Sequence, residues 1–178
     1  MILKEKEISN EIIERLKEEI FIYPTDTIYG IGCNALNKEL VKKIREIKNR
    51  DNKPFSVIAP SKEWILNNFD VEEELIGKYL PGPYTLLLKK KDQNFLSEVS
   101  NNEMVGVRIP DCKFTKILQK LEIPIVTTSV NLSGEKPANK IGEIDEKILN
   151  KVKLIIDSGE LNGKPSTLIK DGGTLERK

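Results

Sequence analysis

Five short segments carry residues whose types and spacing could do chemistry. In Tyr23-Pro24-Thr25-Asp26-Thr27-Ile28-Tyr29-Gly30-Ile31-Gly32, small hydroxyls and glycines follow an apolar run, so a ligand could come close to the backbone. The plainer reading is a turn whose hydroxyls bond their own backbone. Lys48-Asn49-Arg50-Asp51-Asn52-Lys53-Pro54 gathers three cations where a helical pattern gives way to a loop, a group suited to a polyanion such as triphosphate. Cations also complement a helix C-terminus, but that accounts for the helix end and not for Arg50 or Lys53. Arg108 sits in the strand pattern Val105-Gly106-Val107-Arg108-Ile109. Pointing inward it needs an anionic partner; pointing outward it is an ordinary surface charge. Thr127-Thr128-Ser129-Val130-Asn131-Leu132-Ser133-Gly134 supplies hydroxyls and an amide just past an apolar strand, where α/β sheets bind ligands. Pro165-Ser166-Thr167 repeats that pattern, and Arg177 follows near the end of the chain. None of these segments holds a nucleophile beside a base. What they share is the capacity to bind phosphate and carboxylate.

Two further matches are decoys. Gly30-Ile31-Gly32-Cys33-Asn34-Ala35 fits the dinucleotide fingerprint GxGxxA. That fingerprint requires the glycines to lie directly between a strand and its helix, whereas here Thr25-Asp26-Thr27 intervene and the next helical pattern starts late. Gly159 to Pro165 resembles a phosphate-binding loop but is one residue short, with proline where the metal-binding hydroxyl belongs.

The elements that must position these segments can be read from periodicity. Ser9 caps a helix with Ile12, Ile13, Leu16 and Ile20 on one face; Phe21 to Tyr23 is a buried strand stopped by Pro24. Asn37 caps a helix with Leu40, Val41, Ile44 and Ile47, and Phe55 to Ala59 is a strand. Ser61 opens a short helix, and so does Asp70, with Glu73 three residues on. After the break at Pro81-Gly82-Pro83 come strands over 84–88 and 104–109, a helix marked by Phe114 to Leu121, and a strand over 125–128. Ile141, Ile144 and Ile148 mark a last helix, followed by strands over 154–156 and 167–169. This alternation, with some strands adjacent in sequence, predicts one α/β domain over 1–178: a twisted mixed sheet flanked by helices.

Composition narrows the function. The chain has 178 residues, 38% hydrophobic and 32% charged, ordinary for one globular domain. Histidine is absent, which removes Ser-His-Asp triads, Cys-His dyads and HExxH zinc sites. Cys33 and Cys112 form no CxxC pair and cannot make a structural zinc site alone, so no protein metal site is expected. The net charge of +1 argues against a main role in coating nucleic acid. No apolar run reaches a membrane span, and the first twenty residues are too charged for a signal peptide, so a cytoplasmic location is expected. The chain has 24 lysines and 5 arginines. Where Lys is the default cation, an Arg in a motif is there for its planar, forked geometry.

Taken in order, YPTDTIYGIGCNA, KNRDNKP, PGPYTLLL, VGVRIPD, TTSVNLSG and PSTL resemble the YrdC-like threonylcarbamoyl-AMP synthase family, in its short single-domain form. The resemblance covers about Ile20 to Arg177. It implies a basic central cavity and the conversion of L-threonine, bicarbonate and ATP into threonylcarbamoyl-AMP and pyrophosphate, with Mg²⁺ accompanying ATP. The product would supply a tRNA threonylcarbamoyl-transferase machinery that modifies adenosine 37 of tRNAs reading codons that begin with A. By motif, Thr25, Arg108, Ser129 and Ser166 would bind threonine. Lys48 and Arg50 would hold the ATP phosphates and act as the catalytic cations, and Lys53, Asn131 and Arg177 would complete the nucleotide site. The loop Glu135 to Asn139 and the spacing from Arg50 to Lys53 depart from the family pattern. Two rival roles share this fold: an RNA-binding module making weak RNA contacts, and the carbamoyl-transfer domain of hydrogenase maturation.

Overall fold

The structure is a computed structural model and describes residues 1–50 and 53–175. The chain runs through β1 (Ile2–Lys4), α1 (Asn10–Glu18), β2 (Phe21–Tyr23), β3 (Gly30–Gly32), α2 (Lys38–Lys48), β4 (Ser56–Ile58), α3 (Lys62–Asn68), β5 (Phe69–Asp70) and α4 (Glu73–Tyr79). It continues through β6 (Tyr84–Lys90), β7 (Met104–Arg108), α5 (Lys113–Gln119), β8 (Ile125–Ser129), α6 (Glu146–Leu149), β9 (Leu154–Asp157), β10 (Thr167–Lys170) and β11 (Gly173–Leu175). The strands join into one sheet in the order β1-β9-β2-β3-β8-β4-β7-β6-β10-β11, with β5 paired to β6. Parallel pairs (β1–β9, β2–β9, β4–β7, β6–β10) mix with antiparallel ones (β2–β3, β3–β8, β4–β8, β6–β7). The mixed sheet is the expected one.

Side-chain alternation along β2 shows why helices cover both faces. Phe21 and Tyr23 join Ile12, Ile13 and Leu16 of α1 and Phe114 and Leu118 of α5 in one core. Ile22, between them, faces the other core with Val41, Ile44 and Ile47 of α2 and Ile148 of α6. Ser9, Asn37 and Ser61 cap their helices as expected, each side chain accepting from the backbone N–H three residues on.

Three expectations need correction. Asp70 is no cap: it pairs with Lys89 in β5, and the helix starts beyond Glu72. Ile20 is buried but lies past the end of α1, because the chain is already extended at Glu19. The helix expected over 141–148 is a 3₁₀ turn, Ile141–Glu143, followed by the four-residue α6. Strands β1, β3 and β11 carry too little apolar alternation to be foreseen. Gly30 and Gly32 belong to β3, paired antiparallel with β2, and no helix opens at them; the dinucleotide match is a decoy, as expected. Among the described residues no helix is long and apolar enough to cross a membrane.

Candidate active site

A cavity of about 470 Å³ opens where the β2–β3 loop, the ends of β7 and β8, and the segment before β10 converge. Its lining includes Thr25, Arg50, Arg108, Ser129, Asn131 and Ser166, residues from five separate stretches of sequence. Two guanidiniums face one acidic residue, Glu135, among the described lining residues, so the expected basic character is present but modest.

The Thr25 loop satisfies both readings of its sequence. Thr25 Oγ1 donates to the Ile28 carbonyl at 2.7 Å and accepts from the Thr27 and Ile28 amides, the expected turn chemistry. The same turn sets Thr25 and Thr27 into the cavity wall.

Lys48 and Arg50 diverge because of what separates them. Asn49 adopts a left-handed conformation (φ 50°, ψ 52°) and caps α2. Lys48, still helical, is turned inward and only 1% exposed. Its Nζ donates to the Ser129 carbonyl, to the Asn131 carbonyl at 2.6 Å and to Asn131 Oδ1 at 3.3 Å. Expected as a direct phosphate ligand, Lys48 instead stands behind the cavity wall, outside the lining. Burial, and secondarily the charge of Arg50, pull its ammonium down to about 7, while the three oxygens favour the charged form. Arg50, past the cap, turns toward the cavity: its guanidinium donates to Thr128 Oγ1 at 3.3 Å and to the Pro54 carbonyl at 2.7 Å. It also lies 5.2 Å from the Phe55 ring, against which Arg45 packs at 4.4 Å. Ser129 Oγ donates to Asn131 Oδ1 at 2.5 Å, and Asn131 Nδ2 donates to the Glu135 carbonyl at 2.6 Å. The Asn131 amide is therefore fixed from both ends.

Arg108 points inward, and its anionic partner is Asp26. Arg108 Nη2 donates to Asp26 Oδ1, with the two side chains 6% and 9% exposed. Asp26 Oδ2 accepts from the Asp111 backbone N–H at 2.9 Å, and Arg108 Nη1 lies 3.4 Å from Thr27 Oγ1. Arg108 Nε, also buried, has no partner.

The segment after β9 crosses the Thr25 loop as a strap. Tyr29 OH donates to the Gly159 carbonyl at 2.8 Å and accepts from the Ser158 amide at 2.9 Å. Burial pushes this phenol up to about 12, so it stays protonated at neutral pH. At Gly163 a Cβ would stand 2.1 Å from the Thr27 carbonyl oxygen, so only glycine lets the strap lie this close. The strap ends at Ser166, whose Oγ is 2.7 Å from Thr85 Oγ1.

Thr25, Arg50, Arg108, Ser129, Asn131 and Ser166 thus meet in one cavity. Lys53 is exposed and outside the lining, its carbonyl accepting from Arg45 at 2.9 Å; Arg177 lies outside the described residues. Sequence reasoning missed Asp26, although it sits inside a flagged motif, and Thr85, which reads as one polar letter in an apolar strand. Cys33 is buried in the core, and burial raises its thiol and that of Cys112. Among the described residues no group of three or more carboxylates or cysteines could hold a metal.

The family model Sua5/YciO/YrdC, described as telomere recombination, matches residues 14–175. A Methanocaldococcus jannaschii protein, named a putative threonylcarbamoyl-AMP synthase, is 40% identical over 176 residues, covering 93% of this chain and 83% of its own. The crystal structure of P. abyssi Sua5 complexed with L-threonine superposes with a TM-score of 0.83 at 31% identity, covering 96% of this chain. The chain spans about half the length of that protein, 53%. A full-length HypF in a phosphate- and nucleotide-bound form gives a TM-score of 0.77 at 24% identity, over 89% of this chain and 26% of its own, and shares the fold alone.

Proposed function

The chain belongs to the Sua5/YciO/YrdC family, and on that premise we propose that it synthesises threonylcarbamoyl-AMP from L-threonine, bicarbonate and ATP, releasing pyrophosphate. The observation that carries this reading is the convergence of Arg50, Arg108 and a ring of hydroxyls and amides in one cavity that contains neither histidine nor cysteine.

The chemistry asks for that kind of site. Threonine amine and bicarbonate give a carbamate and water; a carbamate oxygen then attacks the α-phosphorus of ATP, forming an O–P bond as the bond to the β-phosphate oxygen breaks. Both reactants are anions. Alignment and charge neutralisation matter more than proton abstraction, and pre-set donors supply them. Arg50 and Asn131 hold the phosphates, with Lys48 backing the Ser129–Asn131 loop on which that grip depends. Thr25, Arg108, Ser129 and Ser166 hold threonine. Arg177 and Lys53 complete the nucleotide site. Mg²⁺ would accompany ATP, Glu135 being the carboxylate among the described lining residues that could help hold it. It would supply further neutralisation of the triphosphate.

A cytoplasmic reaction, with a tRNA threonylcarbamoyl-transferase machinery downstream, fits the proposed substrates and a product destined for tRNA. Against an RNA-binding module stand the net charge of +1 and a site that is a cavity with only two guanidiniums among its described lining residues. The hydrogenase-maturation role rests on shared fold only. The test is to incubate purified protein with ATP, Mg²⁺, L-threonine and ¹³C-bicarbonate. The adenylate should carry one ¹³C in its carbamoyl carbon; an unlabelled product, or none, overturns the reading.

A further inference from the structure

Arg45 belongs to none of the motifs and is not among the residues that line the cavity, yet it is one of five arginines in a chain with 24 lysines. Its planar fork is put to use. Nη1 donates to the Lys53 carbonyl at 2.9 Å, and Nη2 donates to the carbonyls of Glu98 at 2.7 Å and Val99 at 3.1 Å. The same guanidinium lies 4.4 Å from the centre of the Phe55 ring. A lysine ammonium, a point charge on a flexible stem, cannot bond two separate chain segments and cover a ring at once.

These contacts converge on the groups that hold Arg50. The Phe55 amide donates to the Val99 carbonyl at 2.9 Å, so Arg45 and the Phe55 backbone meet at one oxygen. Arg50 donates to the Pro54 carbonyl and lies over the same Phe55 ring. Lys53, Pro54 and Phe55 are therefore fastened in turn by Arg45, by Arg50 and by both. The far anchor is itself braced. Lys90, the last residue of β6 and 2% exposed, donates to the Gln93 carbonyl at 2.9 Å and the Ser100 carbonyl at 3.2 Å, within the β6–β7 connection. Arg45 ties this connection to the segment against which Arg50 leans. Arg50, Pro54 and Phe55 line the cavity, with Arg45 behind them.

We propose that Arg45 is a positioning residue: by fastening residues 53–55 to the β6–β7 connection it holds the Arg50 guanidinium at the phosphate end of the cavity. That the ligand there is ATP rests on the functional reading above; the bracing does not.

The experiment uses Arg45→Lys, which keeps the charge, and Arg45→Met, which keeps an unbranched apolar stem. The first readout is the ¹⁵N spectrum of arginine Nε–H groups without nucleotide, tractable with five arginines, the Arg50 signal being assigned by its loss in Arg50→Lys. Wild type should give one sharp Arg50 signal, and both Arg45 variants should broaden it. An Arg50 signal equally sharp in the variants, or already broadened in wild type, overturns the proposal whether or not the protein makes threonylcarbamoyl-AMP. The second readout sets calorimetric ATP affinity against the KM for threonine. Both variants should weaken ATP binding, by about tenfold in Arg45→Met, and change the threonine KM less than threefold. On an Arg50→Ala background the same changes should weaken ATP binding less than threefold further, because Arg45 acts through Arg50. Equal losses for both substrates, full additivity with Arg50→Ala, or complete rescue by Arg45→Lys would reduce Arg45 to a general structural role. Should Arg45→Met fail to fold, Arg45→Lys carries both readouts. A wild type that binds no ATP fails the functional reading alone, and the spectrum still decides the bracing.

Discussion

Lys48 and Arg108 are both cations buried to within a few per cent, and they are held in opposite ways. Arg108 meets a carboxylate. Lys48 meets only neutral oxygens: two backbone carbonyls and one side-chain amide. Around Arg108 the charge is cancelled and the geometry is fixed. Around Lys48 no carboxylate cancels the charge, which stands just behind the wall, two residues from Arg50, until the lysine releases its proton near pH 7. The cavity therefore has a neutral, directional end and a positive end. A polyanion belongs at the second and a single carboxylate at the first.

The largest effect should come from leaving Arg108 without its partner. Asp26→Leu strands a buried guanidinium and should cost about 3–5 kcal/mol, a fall in Tm of about 10 °C. Asp26→Leu with Arg108→Met should recover most of that stability while remaining inactive. Thermal melts of the three proteins check this, and a double variant no more stable than the single one breaks the comparison.

Lys48→Met should behave differently. It removes a costly buried charge but orphans two carbonyls, so near pH 7 the net change should be within about 1 kcal/mol. The distinction lies in pH. Folded Lys48 releases its proton near 7, against about 10.5 for an unfolded lysine. Between those values the unfolded chain binds the extra proton, so raising pH favours the folded state, by at most about 1.4 kcal/mol per pH unit. Below pH 7 both states are protonated and the slope vanishes. Denaturant titrations at pH 6, 7.5 and 9 should show wild type gaining stability over Lys48→Met as pH rises; parallel curves would show that the three oxygens hold the lysine charged throughout.

Much of this architecture was legible in the sequence. Ser9, Asn37 and Ser61 announced their helices, and the apolar run Phe21-Ile22-Tyr23 announced a buried strand, because caps and apolar runs are local signals. Non-local features were not legible. β1 exists because Ile2 to Lys4 pair with Ile155 to Asp157 at the far end of the chain. β3 exists because β2 and β8 pair with Gly30-Ile31-Gly32 from its two sides. In the site, the motif letters marked the right segments but not the directions. One left-handed residue, Asn49, sends Lys48 behind the cavity wall and Arg50 into the lining. Asp26 was visible in its motif, yet its partner lies 82 residues away.

Between those two in size, Arg50→Ala should weaken ATP binding about tenfold to a hundredfold, the worth of a charge-assisted bond of roughly 1.5–3 kcal/mol, with Tm little changed. Arg50→Lys should fall short of wild type, because a point charge cannot make the forked contact. Arg15→Ala, which removes only a helix-surface pair with Glu19, is the control and should bind ATP normally. Calorimetric ATP titrations decide it. The smallest effects on turnover should come from Cys33→Ser and Cys112→Ser. Both thiols are held protonated and neither lines the cavity, so each variant should keep most of its activity, even if Cys33→Ser melts lower for burying a hydroxyl.

The most direct test of a cavity with a carboxylate end and a phosphate end is pyrophosphate release with each substrate withheld in turn. Release from ATP should require both L-threonine and bicarbonate, fall when serine replaces threonine, and stop without either. Release at the same rate from ATP alone would contradict a cavity with these two ends.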